Sequence, residues 1–194
     1  MDKVKMGPQP LVFPMPAFLV GANVEGKPNF MTVAWGGIAC GEPPMIAVAI
    51  RHPRYTLRGM KENMTFSVNV ASADQVKEVD FCGIKTGAKE DKVRACKFKV
   101  FYGIVETAPM IEQCPVNLEC KVVQMLELGS HSLIVGQVEE IHVSEDCLTE
   151  GQPDVKKVKP FIFTTVPAQN YQAFGDVIAR AFSIGKEIQA RESG

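Results

Sequence analysis

The 194-residue chain has a mass of 21.2 kDa and nearly balanced charge, with 21 Lys and Arg against 22 Asp and Glu. Its content of 46% hydrophobic and 22% charged residues is typical of one globular domain, and it excludes a disordered, collagen-like or coiled-coil chain. A net charge of −1 provides no global basic field, so we expect no nucleic-acid partner.

The six cysteines lie at positions 40, 82, 96, 114, 120 and 147, without a CxxC pair. This spacing is poor for zinc, and we predict no metal site. Disulfides are the alternative to reduced thiols, but the chain length and the apolar surroundings favour reduced thiols and a cytoplasmic location. Residues 6–24 carry no charge, yet four prolines there disfavour a signal segment or a spanning helix, so no membrane partner is expected.

Short apolar runs broken by Pro and Gly predict strands over 17–23, 29–35 and 45–50. The polar connection 24–28 predicts a hairpin between the first two strands, because Gly26 suits the tight position of the turn.

Two short helices are predicted on either side of a strand over 65–70. Thr56 is the expected N-cap of a helix over 57–62 that ends at Asn63, and Ser72 begins a helix over 74–81.

The longest strand candidates, 118–128 and 132–143, are joined by the turn 129–131 and predict an antiparallel hairpin. Since only short helices separate the strands, the sheet should be largely antiparallel, and a closed or partly closed barrel is favoured over a Rossmann domain. We expect one domain with a core over about 10–165.

Apolar residues recur at steps of three and four between 171 and 190, which predicts a long amphipathic C-terminal helix. This helix covers either the sheet or a partner subunit.

The sequence contains no complete nucleotide-binding or hydrolase motif. The segment Gly21–Lys27 has the glycine and lysine spacing of a P-loop, but Pro28 replaces the required Ser or Thr and leads into a strand, so a hairpin turn is the better interpretation. There is no GxGxxG, GxSxG or HExxH sequence.

The remaining residues suited to ligand chemistry form an ordered series. The series is Asn29–Trp35, Pro43-Pro44, Arg51–Thr56, Phe66–Asn69, Gly83, Thr86-Gly87 and Asp91-Lys92. In this order it resembles the flavin reductase-like family, the FMN-binding split β-barrels that include the flavoredoxins. The resemblance covers about residues 10–145, and the segment from Tyr171 resembles the flavoredoxin branch. It implies a mainly β fold: an antiparallel split β-barrel with short helices and a C-terminal helix, in a single FMN-binding domain over 1–194.

The resemblance implies non-covalent FMN, and the residues support such a ligand. A phosphate needs several donors, which Arg51, Arg54, Lys92, the Thr56 hydroxyl and the helix N-terminus supply together. A solvated surface is the alternative for the arginines. Since the donors gather around one phosphate and no adenine-binding segment is evident, we expect FMN rather than FAD.

The isoalloxazine ring needs a flat apolar wall at strand ends. The expected ring contacts are Thr32, Val33, Ala34, Trp35, Asn69, Val70 and Ala71. A role for Trp35 in the core or at a subunit interface is the alternative. The further cofactor contacts implied by the resemblance are Asn29, Ile50, Cys82, Gly83, Thr86 and Tyr171.

His131 is the candidate catalytic residue, because the resemblance places its turn near the flavin and the reductant. Family members often carry Gly-Asp-His there, whereas this chain has Ser130 in place of the acid. A polar hairpin tip is the alternative. Cys40 and Cys82 flank the expected site, either as redox thiols or as small buried hydrophobic residues.

Two redox functions share this site. One is flavoredoxin-like electron transfer between redox protein partners, and the other is reduction of flavin or another acceptor by NAD(P)H. A non-redox module that binds a small anion is an alternative of another class. A homodimer is expected, since barrels of the family complete the flavin pocket at a two-fold interface.

Overall fold

The computed structural model describes residues 1–190, and it describes side chains as far as Ile188. Strands dominate the described residues. In chain order they are β1 (Met15–Pro16), β2 (Phe18–Val24), β3 (Lys27–Val33), β4 (Gly36–Gly41), β5 (Pro44–Arg51), β6 (Thr65–Val70), β7 (Val100–Phe101), β8 (Met110–Ile111), β9 (Val116–Leu128), β10 (His131–Val143), β11 (Leu148–Thr149), β12 (Gln152–Pro153), β13 (Phe161–Thr164) and β14 (Asn170–Ala173). The α-helices are α1 (Tyr55–Asn63), α2 (Val76–Ile84), α3 (Lys92–Ala95), α4 (Val155–Val158) and α5 (Lys186–Ala190).

Seven strands form one antiparallel sheet in the order β3-β2-β6-β9-β10-β5-β4. The two edge strands, β3 and β4, are separated in the chain only by Ala34 and Trp35. A connection this short makes the sheet curl until its edges approach each other, but ladder hydrogen bonds do not join them. The predicted antiparallel split barrel is therefore confirmed, and the barrel is not closed.

Alternation along β2 separates two hydrophobic clusters. Val20 and Ala22 face the barrel interior, where they join a cluster that includes Phe66. Leu19 belongs to a second cluster, which also contains Val79 of α2. The second cluster fixes α2 beside β3, and the end of α2 thereby reaches the split.

The predicted hairpins are confirmed. The β2–β3 turn is Glu25-Gly26, with φ values of 53° and 75° that suit a type I′ turn. The β9–β10 ladder runs from the pair of His131 and Leu128 to the other end of both strands. No helix within residues 1–190 combines the length and apolarity needed to cross a membrane.

The predicted N-cap of the first helix is wrong. Arg54, not Thr56, is the N-cap of α1, and it makes no side-chain capping hydrogen bond. Thr56 lies inside the helix, where its hydroxyl oxygen accepts a hydrogen bond from Asn29 Nδ2 at 2.6 Å. The Ser72 cap is confirmed, but it begins a 3₁₀ turn over Ala73–Gln75 that leads into α2.

The predicted helix over 171–190 is wrong over most of its length. Asn170–Ala173 is the strand β14, which pairs with β13, and only Lys186–Ala190 is α-helical. The apolar residues that gave the helical spacing are mostly exposed, and Ile178 and Phe182 are 100% and 99% exposed. An amphipathic segment forms a stable helix mainly when its apolar face packs against another surface.

Candidate functional site

A cavity of about 400 Å³ lies at the split, where β3 passes into β4, and its volume is in the range of small-molecule sites. It is lined by Met31, Thr32, Val33, Ala34, Trp35, Ala49, Arg51, Arg54, Ser130 and His131. β5 brings these segments together. Its Ala49 N–H donates to the Trp35 carbonyl at 2.8 Å on one side, and Arg51 pairs with His131 on the other. Because Ala49 and Arg51 are two residues apart, they share one face of the sheet.

A smaller cavity adjoins the first, and Met31 and Arg54 line both. Its other lining residues are Tyr55, Thr56, Lys85, Thr86, Gly87 and Lys92. It lies at the N-terminus of α1, which has neither a side-chain cap nor an acidic residue in its first turn. The first N–H groups of a helix have no intrahelical acceptor, so this end attracts an anion.

Arg54 links the two cavities to the end of α2. Its Nη1 donates to the Gly83 carbonyl at 2.9 Å, which leaves further guanidinium donors available. The Thr32 hydroxyl donates to the Val79 carbonyl, so it fixes α2 to β3. Gly83 packs on the same threonine, since a Cβ at residue 83 would lie 3.4 Å from Thr32 Cβ.

Lys92 is buried, and only 3% of it is exposed. Its ammonium donates to the Phe30 carbonyl at 2.8 Å and to the Cys82 carbonyl at 2.9 Å. Burial lowers the pKa of Lys92. An ammonium has three donors, and the third has no acceptor among residues 1–190. Since Lys92 also lines the smaller cavity, an anion there would accept the third hydrogen bond and oppose the effect of burial.

Gly87 permits a close approach of the loop 85–91 to α1. A Cβ at residue 87 would lie 1.9 Å from Asn29 Oδ1 and 2.9 Å from Tyr55 Cδ1. Asn29 cannot simply turn away, because its Nδ2 bonds Thr56. The Thr56 hydroxyl accepts that bond and keeps its own proton to donate.

The His131 ring stacks on Trp35, with a centroid distance of 4.6 Å and an interplanar angle of 19°. Its Nδ1 lies 2.8 Å from Ser130 Oγ. Burial, followed by the positive charges of Arg51 and His52, lowers the pKa of His131. The structure therefore places His131 in the cavity wall.

Several predicted site residues lie outside both cavities. Ile50 is 1% exposed and belongs to the barrel core. Asn69 is fully buried, and its amide bridges the Leu19 carbonyl and the Ile111 N–H. Val70 and Ala71 line a separate cavity of about 260 Å³ with residues 14–18 and 160–162.

Two further predicted contacts have other partners. The Tyr171 hydroxyl donates to Asp80 at 3.1 Å, while its ring packs edge-on against Phe161. Cys82 is buried, and burial raises the pKa of its thiol, so the thiol is protonated at neutral pH. The carbonyl of Cys82, rather than its sulfur, reaches the site through Lys92.

Six lining residues were not among the predicted contacts: Met31, Ala49 and Ser130 of the larger cavity, and Tyr55, Lys85 and Gly87 of the smaller one. The alternation along β5 could have identified Ala49, since it shares a face with Arg51. Among the residues that the structure describes, there is no cluster of three or more His, Cys, Asp or Glu arranged to hold a metal ion.

The model of the flavin reductase like domain matches residues 11–163. The structure of flavoredoxin from Methanosarcina acetivorans is 39% identical, with a TM-score of 0.92 over 97% of this chain and 100% of that chain. Flavoredoxin of Desulfovibrio vulgaris (Miyazaki F) is 36% identical, with a TM-score of 0.88 over 95% and 100%. The FMN reductase (NADH) RutF of Escherichia coli is 27% identical over 100 residues, which are 52% of this chain and 58% of that protein.

The chain therefore belongs to the flavin reductase-like family. Its cofactor class is a flavin. The larger cavity has room for the ring system of such a ligand, and the smaller one, with a volume of only about 10 Å³, presents donors for an anion at its wall.

Proposed function

We propose that this protein binds FMN without a covalent link and transfers electrons through it. The observation that carries the proposal is the adjacency of the two cavities at Arg54. FMN consists of one planar ring system and one phosphate, joined by a flexible chain. The larger cavity suits the ring, and the uncapped N-terminus of α1 suits the phosphate.

The proposal specifies FMN rather than FAD because the anion donors converge on one position. Arg54, Lys92 and the first N–H groups of α1 surround the smaller cavity, and Thr56 and Thr86 add hydroxyl groups. The relation to an enzyme named FMN reductase also supports this choice.

When bound, the flavin supplies hydride or single-electron chemistry. The protein's own residues bind and orient it. Arg54 and Lys92 hold the phosphate, while the segment from Thr32 to Trp35 forms a wall of the ring site. Arg51 places a positive charge at that wall, and His131 exchanges a proton at the mouth.

The electron donor separates two versions of this function. The similarity to two flavoredoxins supports electron transfer between redox protein partners. The relation to an enzyme named FMN reductase (NADH) supports the second candidate, which is reduction by NAD(P)H.

Ligand analysis followed by rapid mixing tests the proposal. Mass spectrometry of heat-released ligand should identify FMN, and dithionite should bleach its yellow absorption. Rapid bleaching by NADH or NADPH would support the reductase, whereas bleaching only by a reduced redox protein would support the shuttle. Stoichiometric FAD, or no flavin after incubation with excess FMN, would contradict FMN binding. Bound flavin that dithionite cannot bleach would contradict the redox role.

A homodimer is part of the proposal. The apolar residues after β14 are exposed in one chain, as are Val12 and Phe13 near the N-terminus. Burial of such a surface against a second copy would be strongly favourable. Light scattering should give twice the 21.2 kDa of one chain, and deletion of 174–194 should give monomer or aggregate and lose flavin. A monomeric wild-type protein at micromolar concentration would exclude the dimer.

A cytoplasmic location also belongs to the proposal. All six cysteines are free thiols, which supports a reducing compartment.

A further inference from the structure

Two contacts hold the His131 ring. Trp35 stacks on its face, and Ser130 Oγ lies 2.8 Å from Nδ1. Nε2 has no hydrogen-bond partner in the part of the chain that the structure describes. Since His131 lines the 400 Å³ cavity, Nε2 is the nitrogen that is left to meet a ligand.

We propose that Trp35 and Ser130 are positioning residues that let His131 exchange a proton at Nε2 in either direction without turning its ring. This inference rests on the proposed function, because the proton is exchanged with the flavin or with its redox partner.

The hydroxyl of Ser130 suits this role because it both donates and accepts hydrogen bonds. When Nδ1 carries a proton, it donates to Oγ, and Nε2 is the free acceptor. When Nδ1 is bare, the hydroxyl donates to it, and Nε2 carries a proton to give. A carboxylate only accepts, so it would favour the tautomer with the proton on Nδ1.

The proton balance is simple. A neutral ring that takes a proton at Nε2 becomes an imidazolium whose Nδ1–H donates to Oγ. Release of the Nε2 proton to the ligand restores the neutral ring with its proton on Nδ1. The other neutral tautomer gives its Nε2 proton only as the Ser130 hydroxyl proton passes to Nδ1 and the exposed Oγ takes a proton from water, so no imidazolate forms. No electron is transferred to the side chain.

Trp35 supplies the other restraint. The Ala49 N–H fixes its carbonyl at 2.8 Å, and β5 also carries Arg51, the ladder partner of His131. The stack therefore fixes the plane of the imidazole while the hydroxyl proton rotates. The other charged groups near the ring are Arg51 and His52, and His52 Nε2 is 2.8 Å from Glu127.

Nitrogen-15 NMR of His131, in protein with and without FMN, tests the inference. At a pH where the His131 ring is neutral, the wild-type protein should show both tautomers of the ring, and Ser130→Thr should retain both. Ser130→Asp should lose the second tautomer and leave the proton on Nδ1. Trp35→Leu should make the His131 ring more mobile, which lowers the NMR order parameter of its Cε1–H bond, whereas Trp35→Phe should retain the order.

A single tautomer in the wild type, or an equally ordered His131 ring in Trp35→Leu, would overturn the inference even if flavin binds and is reduced. Conversely, two tautomers in a protein that binds no flavin would support the positioning of His131 while contradicting the proposed function.

Rates of flavin reduction and reoxidation provide the functional readout. Ser130→Asp should change the two rates unequally, and equal rates in Ser130→Asp and Ser130→Thr would count against the inference.

Discussion

The ammonium of Lys92, a residue that lines the smaller cavity, donates to the backbone carbonyl of Phe30 at 2.8 Å. The same group bonds the Cys82 carbonyl at 2.9 Å. One buried cation thus joins α3, which contributes Lys92 to the smaller cavity, to β3 and α2. Lys92 is therefore a structural tie as well as the phosphate donor of the proposal.

The first prediction follows from this tie. Lys92→Met should lower the free energy of unfolding by about 1–3 kcal/mol, because two buried carbonyls lose their donor. Urea denaturation measures the change. Lys89→Met is the matched control, since Lys89 is exposed in the preceding loop, and it should change stability by less than about 0.5 kcal/mol. Equal stabilities of the two variants would show that the tie contributes nothing.

The second prediction concerns the anion end. Arg54→Ala should weaken FMN binding by about 1.5–3 kcal/mol, because charge-assisted hydrogen bonds to the phosphate are lost. Quenching of flavin fluorescence measures the affinity. Arg58→Ala is the control, since Arg58 lies on the same helix but is exposed and pairs with Glu25 at 2.7 Å. Arg54 would return to a solvated-surface role if both variants bound FMN equally well.

Part of this site could be predicted from the sequence, and part of it depends on tertiary packing. Three basic residues that line the cavities, Arg51, Arg54 and Lys92, could be identified from their order along the chain, whereas Lys85 was missed. The burial of Lys92 could not, because it depends on where the carbonyls of Phe30 and Cys82 come to lie, and those carbonyls belong to different elements. Charge is visible in a sequence, whereas the partners of a charge are set by tertiary packing.

The longest strands were predictable from the sequence, whereas the structure of the C-terminal segment was not. Alternation predicts β9 and β10 because one face of each strand packs into the barrel core, through residues such as Cys120 and Ile134. The spacing between 171 and 190 predicts a helix, but its apolar residues are exposed in a single chain. Periodicity identifies a surface that must be buried, and it does not say what covers that surface.

The third prediction concerns pH. The pKa of His131 is lowered from its usual 6.5, mainly by burial. At pH values between this lowered pKa and 6.5, the unfolded chain binds more protons than the folded chain. The contribution of His131 to stability is therefore complete above that window and is lost as the pH falls through it. Unfolding experiments across this range should show a pH slope, and His131→Gln should reduce it.

The sole tryptophan gives an independent view of the same titration. Protonated imidazole quenches indole emission more strongly than the neutral ring. Trp35 emission should therefore fall on acidification, with a midpoint below 6.5, and this step should vanish in His131→Gln. His52→Gln is the control and should retain the step. Emission that falls equally in His131→Gln would assign the quenching to another group.

The last prediction concerns the close approach at Gly87. In Gly87→Ala the new Cβ would lie 1.9 Å from Asn29 Oδ1, so the loop or the asparagine must move. Either movement disturbs the 2.6 Å bond between Asn29 and Thr56 or carries Thr86 away from the anion end. FMN should bind about tenfold or more weakly, equivalent to about 1.4 kcal/mol. Titration with FMN measures the loss.

Two further variants make this test specific. Gly37→Ala should bind FMN normally, because a Cβ at residue 37 meets no atom within 4 Å. Asn29→Ala removes the group that the new Cβ would strike, so combining it with Gly87→Ala should cost less affinity than the sum of the two single changes. Such coupling is expected only if the two side chains compete for one position. Strict additivity, or full affinity in Gly87→Ala alone, would show that the loop yields without affecting the phosphate site.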